Sequence, residues 1–274
     1  MNRKDYKAMF SQVQSIHSAH SEKLEVIMNR KSANRTHKKP VMVLLALLLV
    51  ALLSVSVYAI ATLLSPAEVA REIGDNALAK AFEDGEGTII GGTAVSDGYI
   101  ITLQGMTSGK NILEYVDENA EQNAITFVDA ERTAIIFSVQ REDGNPVRYI
   151  DQDISFMPCV FFSGYKPWMV NSMTLGSGGQ TFEKDGVFYM VVEIDENIEM
   201  FADRTVYCGI WDASMGFPGS AVFTMGGDGT ITFVDGLQKA HAMFTLPLDP
   251  DWADPARVER IIEEMGISKE DLGL

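Results

Sequence analysis

The feature that most constrains this chain is an uncharged run of 24 residues, Val41 to Leu64, with the sequence VMVLLALLLVALLSVSVYAIATLL. As an α-helix rising ~1.5 Å per residue, such a run is about 36 Å long, enough to cross a hydrocarbon core of about 30 Å with some tilt. The run predicts one transmembrane helix over 41–64. It divides the chain into a short N-terminal tail and a large C-terminal part.

Charge predicts the orientation of this span. Residues 1–40 hold nine Lys/Arg against three Asp/Glu, a net charge of +6, whereas residues 65–274 hold 13 against 35, a net charge of −22. Basic residues close to a span remain on the cytoplasmic side, so we predict a cytoplasmic tail and an extracytoplasmic C-terminal part in the cell membrane. The strongly acidic balance also argues against direct binding of nucleic acid.

A cleaved signal peptide is the alternative interpretation of the same run, since Ala59-Ile60-Ala61 fits a small-x-small cleavage pattern. A signal peptide, however, has a short basic start and an apolar core of 7–15 residues. Here 40 residues precede an apolar run of 24. The lengths favour an uncleaved single-pass anchor.

Residues 65–86 predict a helical neck. Ser65-Pro66-Ala67-Glu68 combines a Ser N-cap, Pro at the first helical position and Glu three residues after the cap, which is a capping box. Gly74 can end this first turn and Asp75 can cap a second helix.

Residues 87–274 predict a β-rich domain that ends in a helix. Strands over Thr88–Val95 and Tyr99–Met106 flank a Ser-Asp-Gly turn, and further strands are predicted at 133–140, 173–182, 187–194, 205–211, 220–225 and 230–234. Asp254-Pro255 predicts the start of the closing helix. The fold class is therefore α+β, with an amphipathic helical tail, one transmembrane helix, and an antiparallel, sandwich-like extracytoplasmic domain with helices at both ends.

Few residues of the acidic domain point to catalysis. His241 is its one histidine and lies in an apolar stretch, and Ser220 lacks the Gly-x-Ser-x-Gly frame of a nucleophile elbow. The Asp249–Arg260 stretch departs from a calcium-binding loop, because Ala253 and Arg260 stand where oxygen ligands are needed. We expect no enzyme activity, no cofactor and no metal site.

The two cysteines, Cys159 and Cys208, leave two alternatives open. An oxidising compartment and an even count favour a disulfide. The apolar surroundings MPCVFF and VYCGIW are typical of buried free thiols. Nearby aromatic residues, among them Phe161, Phe162 and Tyr165, either line a ligand groove or fill the core, and the core is the favoured role.

The cytoplasmic tail carries an apolar stripe at helical spacing that residues 1–40 are too few to bury in a core of their own. We therefore predict that the stripe binds a partner. The predicted partner-binding residues are Tyr6, Met9, Phe10, Val13, Leu24, Ile27 and Met28.

The stretches DYKAMFSQVQSIHSAHSEKLEVIMNRK and VSVYAIATLLSP, with ERTAIIFSVQREDGNPV and EMFADRTVYCGIWD, carry a resemblance. They are similar to bacterial single-pass membrane proteins of anti-sigma-factor-like layout that carry an uncharacterised β-rich extracytoplasmic domain. The resemblance implies a tail that binds a sigma-type factor and an outer domain that senses or scaffolds, its ligand unspecified. The His-x3-Cys-x2-Cys zinc motif of one anti-sigma class is absent, because residues 1–40 contain no cysteine. The alternative function is an envelope binding or structural domain that is merely tethered.

Overall fold

The computed structural model describes residues 63–113, 115, 132–148, 155–268 and 272. Leu63–Leu274 form one compact unit. The predicted tail (1–40) and nearly all of the predicted span (41–62) lie outside the described residues. Within the described ranges, none of the helices has the length and apolar character that crossing a bilayer would require.

The larger sheet is antiparallel and has five strands. Its members are β1 (Thr88–Ser96), β2 (Tyr99–Ser108), β3 (Thr133–Arg141), β5 (Ser177–Lys184) and β6 (Val187–Ile194). They lie in the order β1-β2-β3-β6-β5, so that β1 and β5 form the two edges. The predicted Ser-Asp-Gly turn joins β1 to β2, with Asp97 at φ 48° and Gly98 at φ 76°, a left-handed pair that suits a tight hairpin.

A second antiparallel sheet of three strands packs on one face of the first. It contains β4 (Phe156–Phe162), β7 (Val206–Asp212) and β10 (His241–Thr245), in the order β10-β7-β4. A two-stranded hairpin of β8 (Phe223–Met225) and β9 (Ile231–Phe233) covers the far side of this sheet around Trp211.

Two helices cover the opposite face of the larger sheet. They are α1 (Pro66–Glu72) and α2 (Asn76–Asp84), and their side chains Val69, Leu78 and Phe82 pack with residues of the central strands. The short helix α3 (Gly109–Leu113) follows β2, and α4 (Pro255–Glu264) closes the described chain beside the core between the sheets. The helices predicted as a neck are thus packed onto the sheet.

Strand β3 shows why these layers form. Ala134 and Ile136 face the helices, while Ile135, Phe137 and Val139 face the second sheet. A strand buried on both faces has an almost continuous apolar sequence, as TAIIFSVQ has. The prediction of a β-rich, antiparallel, sandwich-like α+β domain is confirmed for the described residues.

Candidate functional site at the chain entrance

The candidate functional site is the entrance junction, which we define as Leu63, Leu64, Ser65, Gln104 and Tyr189. It lies where the chain leaves the predicted span and enters the folded domain. Leu63 and Leu64 pack against the core on the helix-covered face of the sheet. The last two residues of the apolar run are therefore packed against the domain.

Both backbone groups of Leu64 are hydrogen-bonded to side chains of the larger sheet. The Leu64 N–H donates to the Tyr189 hydroxyl at 2.9 Å, and the Gln104 Nε2 donates to the Leu64 carbonyl at 3.1 Å. The same Gln104 amide nitrogen lies 3.2 Å from the Ser138 hydroxyl. Because Gln104, Ser138 and Tyr189 belong to β2, β3 and β6, three adjacent strands hold the entrance.

The side chains that hold Leu64 are themselves fixed. Tyr189 is 1% exposed, and its ring stacks on Phe182 with a centroid separation of 5.0 Å. Burial raises the pKa of the Tyr189 phenol, so that it stays protonated. Gln104 is also buried, and its Oε1 has no hydrogen-bond partner in the described part of the chain. A rigid pair of side chains thus positions the entrance.

The next residue starts α1 with a complete capping box. The Ser65 N–H donates to Glu68 Oε2 at 2.7 Å, and the Glu68 N–H donates to Ser65 Oγ at 3.3 Å. The Ser65 hydroxyl also donates to Glu68 Oε2, at 2.8 Å. The two hydrogen bonds that the carboxylate accepts from the Ser65 N–H and hydroxyl lower the pKa of Glu68. Helix α1 therefore starts within one residue of the hydrogen-bonded Leu64, with no flexible linker between them.

A buried ionic network, which we define as Asp75, Arg132 and Glu193, holds the helix pair on the sheet. The Arg132 guanidinium is 3% exposed and lies 3.2 Å from Asp75 Oδ2 and 2.8 Å from Glu193 Oε1. Asp75 also caps α2 by accepting a hydrogen bond from the Leu78 N–H at 2.8 Å. Burial raises the pKa of Glu193, an effect that Arg132 opposes.

A cleft of about 290 Å³ beside α4 offers a second, separate place for a ligand. Arg204 stands at its wall with the guanidinium 4.4 Å from the centre of the Tyr165 ring, and it forms a forked ion pair with Asp203. Its lining combines apolar and charged side chains: Tyr165, Arg204, Pro255, Val258, Glu259, Ile262, Glu263, Ile267 and Leu272.

The predicted partner-binding residues cannot be placed in this geometry. Tyr6, Met9, Phe10, Val13, Leu24, Ile27 and Met28 all lie outside the described residues. Their role stays a prediction.

Cys159 and Cys208 are free thiols in the structure, both of them buried. Cys159 lies near the Ser172 hydroxyl at 3.3 Å, and burial raises its pKa to about 11. Burial also raises the pKa of Cys208 well above its ordinary value. Of the two alternatives left open by the sequence, the structure shows the buried thiols.

The aromatic residues near Cys159 are divided between core and surface. Phe161 and Phe162 are fully buried, Tyr165 lines the cleft, and Trp168 is 37% exposed. His241 opens β10, with its ring Nδ1 2.6 Å from the Lys239 carbonyl. Across the described ranges, no group of three His, Cys, Asp or Glu side chains is arranged to hold a metal ion.

The sequence gives no prediction for Gln104, which holds the entrance junction, or for Arg132 at the centre of the buried ionic network. Gln104 is a polar residue inside the apolar strand YIITLQGM, and Arg132 directly precedes the apolar strand β3. A polar residue in such a position is a signal of a buried hydrogen bond or ion pair. Gln104 bonds to Leu64, 40 residues away in the chain, and Arg132 bonds to Asp75, 57 residues away. The spacing of residues in the sequence does not identify such distant partners.

Comparisons with protein families, curated protein sequences and solved structures give no match to this chain. The functional interpretation of the entrance junction therefore rests on its own geometry and on the sequence that precedes it.

Proposed function

We propose that this chain is a single-pass membrane regulatory protein of anti-sigma-like organisation. In this proposal the apolar run over 41–64 anchors the chain in the cell membrane, with its last two residues, Leu63 and Leu64, packed against the outer domain. Residues 1–40 bind a sigma-type factor or another transcription-related protein in the cytoplasm, and the β-rich domain lies outside and senses or scaffolds. The predicted contacts are the tail residues Tyr6, Met9, Phe10, Val13, Leu24, Ile27 and Met28.

One structural observation carries the proposal, namely the attachment of Leu64 to β2 and β6. A domain that is merely tethered needs only a flexible linker after the span. Here the N–H and C=O of Leu64 are both hydrogen-bonded to side chains of the sheet, and the cap of α1 is the next residue. A change in the sheet would therefore displace the end of the span, which is a physical route by which an outer event reaches the tail.

The partner is tested with the tail in its natural context. Full-length protein carrying Phe10→Asp and Val13→Asp is compared with the unchanged chain by in-cell crosslinking and pull-down. We expect the unchanged chain to recover one sigma-type factor and the double variant to lose it, because charges on the stripe oppose apolar docking. Equal recovery by both chains would refute the tail interface.

The orientation is tested separately by thiol labelling of whole cells with a membrane-impermeant maleimide. The native thiols are buried, so an introduced cysteine reports its own location. Phe217→Cys, at a position 76% exposed, should label in intact cells, whereas Ser32→Cys should label only after lysis. The reverse pattern would contradict the proposed topology.

A tethered envelope binding domain is the second candidate function, and the cleft beside α4 favours it. Its volume of about 290 Å³ and its mixed apolar and charged lining suit a small ligand. This function predicts that deletion of residues 2–30 leaves the cellular phenotype of the full-length protein intact. Loss of the phenotype on deletion would favour the regulatory function instead.

A further inference from the structure

The buried ionic network carries an unbalanced charge. It contains the carboxylates of Asp75 and Glu193 but only the one guanidinium of Arg132, so its net charge is −1 when all three groups are ionised. Asp75 and Arg132 are buried, and the Glu193 side chain is 13% exposed. A buried charge that lacks a partner is costly, and such a group commonly becomes neutral by binding or losing a proton. One bound proton would make this network neutral.

The neighbours of Glu193 bring no second cation. Its register partners on the two adjacent strands are Ala134 of β3 and Gly178 of β5, both uncharged. Asp195, just beyond β6, adds another negative charge. Residues 114–131, which connect α3 to the network, contain no Lys or Arg. Among the described residues, the guanidinium is therefore the cation that faces Glu193.

Of the two carboxylates, Glu193 has fewer hydrogen-bond donors around it. Asp75 accepts hydrogen bonds from Arg132 and from the Leu78 N–H, the second of which caps α2. Within the described ranges Glu193 accepts from the Arg132 Nη1 alone, at 2.8 Å, and the Arg132 Nε has no partner. Burial raises the pKa of Glu193, an effect that the guanidinium opposes and the neighbouring carboxylates of Asp75 and Asp195 reinforce. A proton that reaches the network therefore binds to Glu193.

We propose that the buried ionic network is a proton-dependent lock between the helix pair, α1 and α2, and the larger sheet. When Glu193 is protonated, its carbonyl oxygen still accepts from the Arg132 guanidinium, and Asp75 and Arg132 remain as a balanced ion pair. When Glu193 is ionised, the excess negative charge between the helices and the sheet weakens the contact of the two layers. Acidification of the surroundings therefore tightens the lock, and the ligand of this site is a proton.

Urea unfolding of full-length protein in micelles, repeated at several pH values, tests the lock through Glu193→Gln. The amide keeps the oxygen that accepts from Arg132 but cannot ionise, so it imitates the protonated acid at every pH. An acid whose pKa is raised by folding loses its contribution to stability as pH rises through the folded pKa. We therefore expect the variant to gain on the unchanged protein as pH rises from about 4 to about 8. The gain in unfolding midpoint should be about 0.5 M for each pH unit between the folded and unfolded pKa of Glu193.

Glu264→Gln, at an exposed position of α4, is the matched control. It makes the same chemical change away from the buried ionic network. Its midpoint difference from the unchanged protein should stay constant over the same pH range.

Hydrogen exchange shows whether the effect is located at the helices. Unchanged protein and Glu193→Gln are compared at the same pH, so that the intrinsic exchange rates cancel. At about pH 7 the Leu78 N–H of α2 should exchange faster in the unchanged protein, by about tenfold for each pH unit between the two pKa values, whereas at about pH 4 the rates should agree. Amides of β7, in the second sheet, should show a smaller difference.

A third measurement needs no change at Glu193. The carbon-13 resonance of its carboxyl, followed with pH in unchanged full-length protein, should titrate above the range of the exposed glutamates. Asp195→Asn removes a neighbouring negative charge and should move this titration to lower pH.

Each of three results would overturn the proposal. They are a midpoint difference between Glu193→Gln and the unchanged protein that does not grow with pH, equal exchange differences at Leu78 and in β7, and a Glu193 carboxyl that titrates at or below the ordinary range. The carboxyl titration decides the question if Glu193→Gln does not fold. All three results concern the domain alone, so this proposal and the proposed function can fail independently.

Discussion

Replacing Arg132 by Met should strongly destabilise the domain. The guanidinium is 3% exposed and pairs with Asp75 and Glu193 at 3.2 and 2.8 Å. Its removal leaves the buried Asp75 carboxylate and the partly buried Glu193 carboxylate without their cation. Breaking a buried ion pair by removing one partner costs about 3–5 kcal/mol. With a urea slope of about 2–3 kcal/mol/M, the loss moves the unfolding midpoint down by about 1–2.5 M.

Arg71→Met is the matched control for this experiment. Arg71 pairs with Glu83 on the same two helices, but these side chains are 47% and 39% exposed. An exposed pair contributes about 0–1 kcal/mol, so the midpoint should move by less than about 0.5 M. Urea unfolding of full-length protein in micelles, followed by near-ultraviolet circular dichroism, measures both. Equal midpoint shifts for the two variants would refute the reasoning about the buried network.

The pH dependence of the Arg132→Met effect follows from Glu193. Burial raises the pKa of this carboxyl in the folded protein, and Arg132 opposes the rise. An acid whose folded pKa lies above its unfolded pKa favours folding at low pH and loses that contribution as pH rises through the folded pKa. The loss in free energy of unfolding caused by Arg132→Met should therefore be largest at neutral pH and become smaller on acidification. A deficit that grows as pH falls would contradict this assignment.

Three further outcomes are expected from single sites. Tyr189→Phe leaves the Leu64 N–H without its acceptor and should lower the free energy of unfolding by about 1–2 kcal/mol, as measured by urea unfolding. The control variant Tyr207→Phe should lower the free energy of unfolding by less than about 0.5 kcal/mol. Gly105→Ala places a Cβ 2.7 Å from the Thr88 carbonyl oxygen and should destabilise by about 1–3 kcal/mol in the same assay, whereas Gly178→Ala meets no atom within 4 Å and should be tolerated. The Cys159 thiol, with its pKa near 11, should react with maleimide only when urea unfolds the domain, and rapid labelling of folded protein would contradict its burial.

Local signals in the sequence predict the hairpin of β1 and β2, strand β6 and the start of α1. Each of these depends on residues close together in the chain, such as the Asp97-Gly98 turn or the Ser65–Glu68 capping box. For β4 the sequence indicates a strand-like setting around Cys159 but gives no bounds, since Pro158 lies within the strand and a proline weakens any strand prediction. The structure accommodates this proline on an edge strand, beside the segment that contains Asn171 and Ser172.

The entrance junction and the buried network could not be predicted in this way, because each joins residues distant in the chain. Gln104 reaches Leu64 across 40 positions, and Tyr189 reaches it across 125. Hydrophobic periodicity assigns such residues to a strand face but does not specify which other segment meets them. A polar residue inside an apolar strand indicates that some partner exists, and the topology of the sheet then decides which one.

The entrance junction and the buried ionic network are both attached to the larger sheet. Leu64 is bonded to β2 and β6, while the helices that follow it are held through Asp75 to Arg132, beside β3, and to Glu193 of β6. The entrance and the helix pair therefore share β6 as a common support. A displacement of β6 relative to its neighbours would move both attachments together, whereas a change confined to an outer loop would move neither. Under the proposed regulatory function, an outer event would therefore have to reach the central strands to affect the tail.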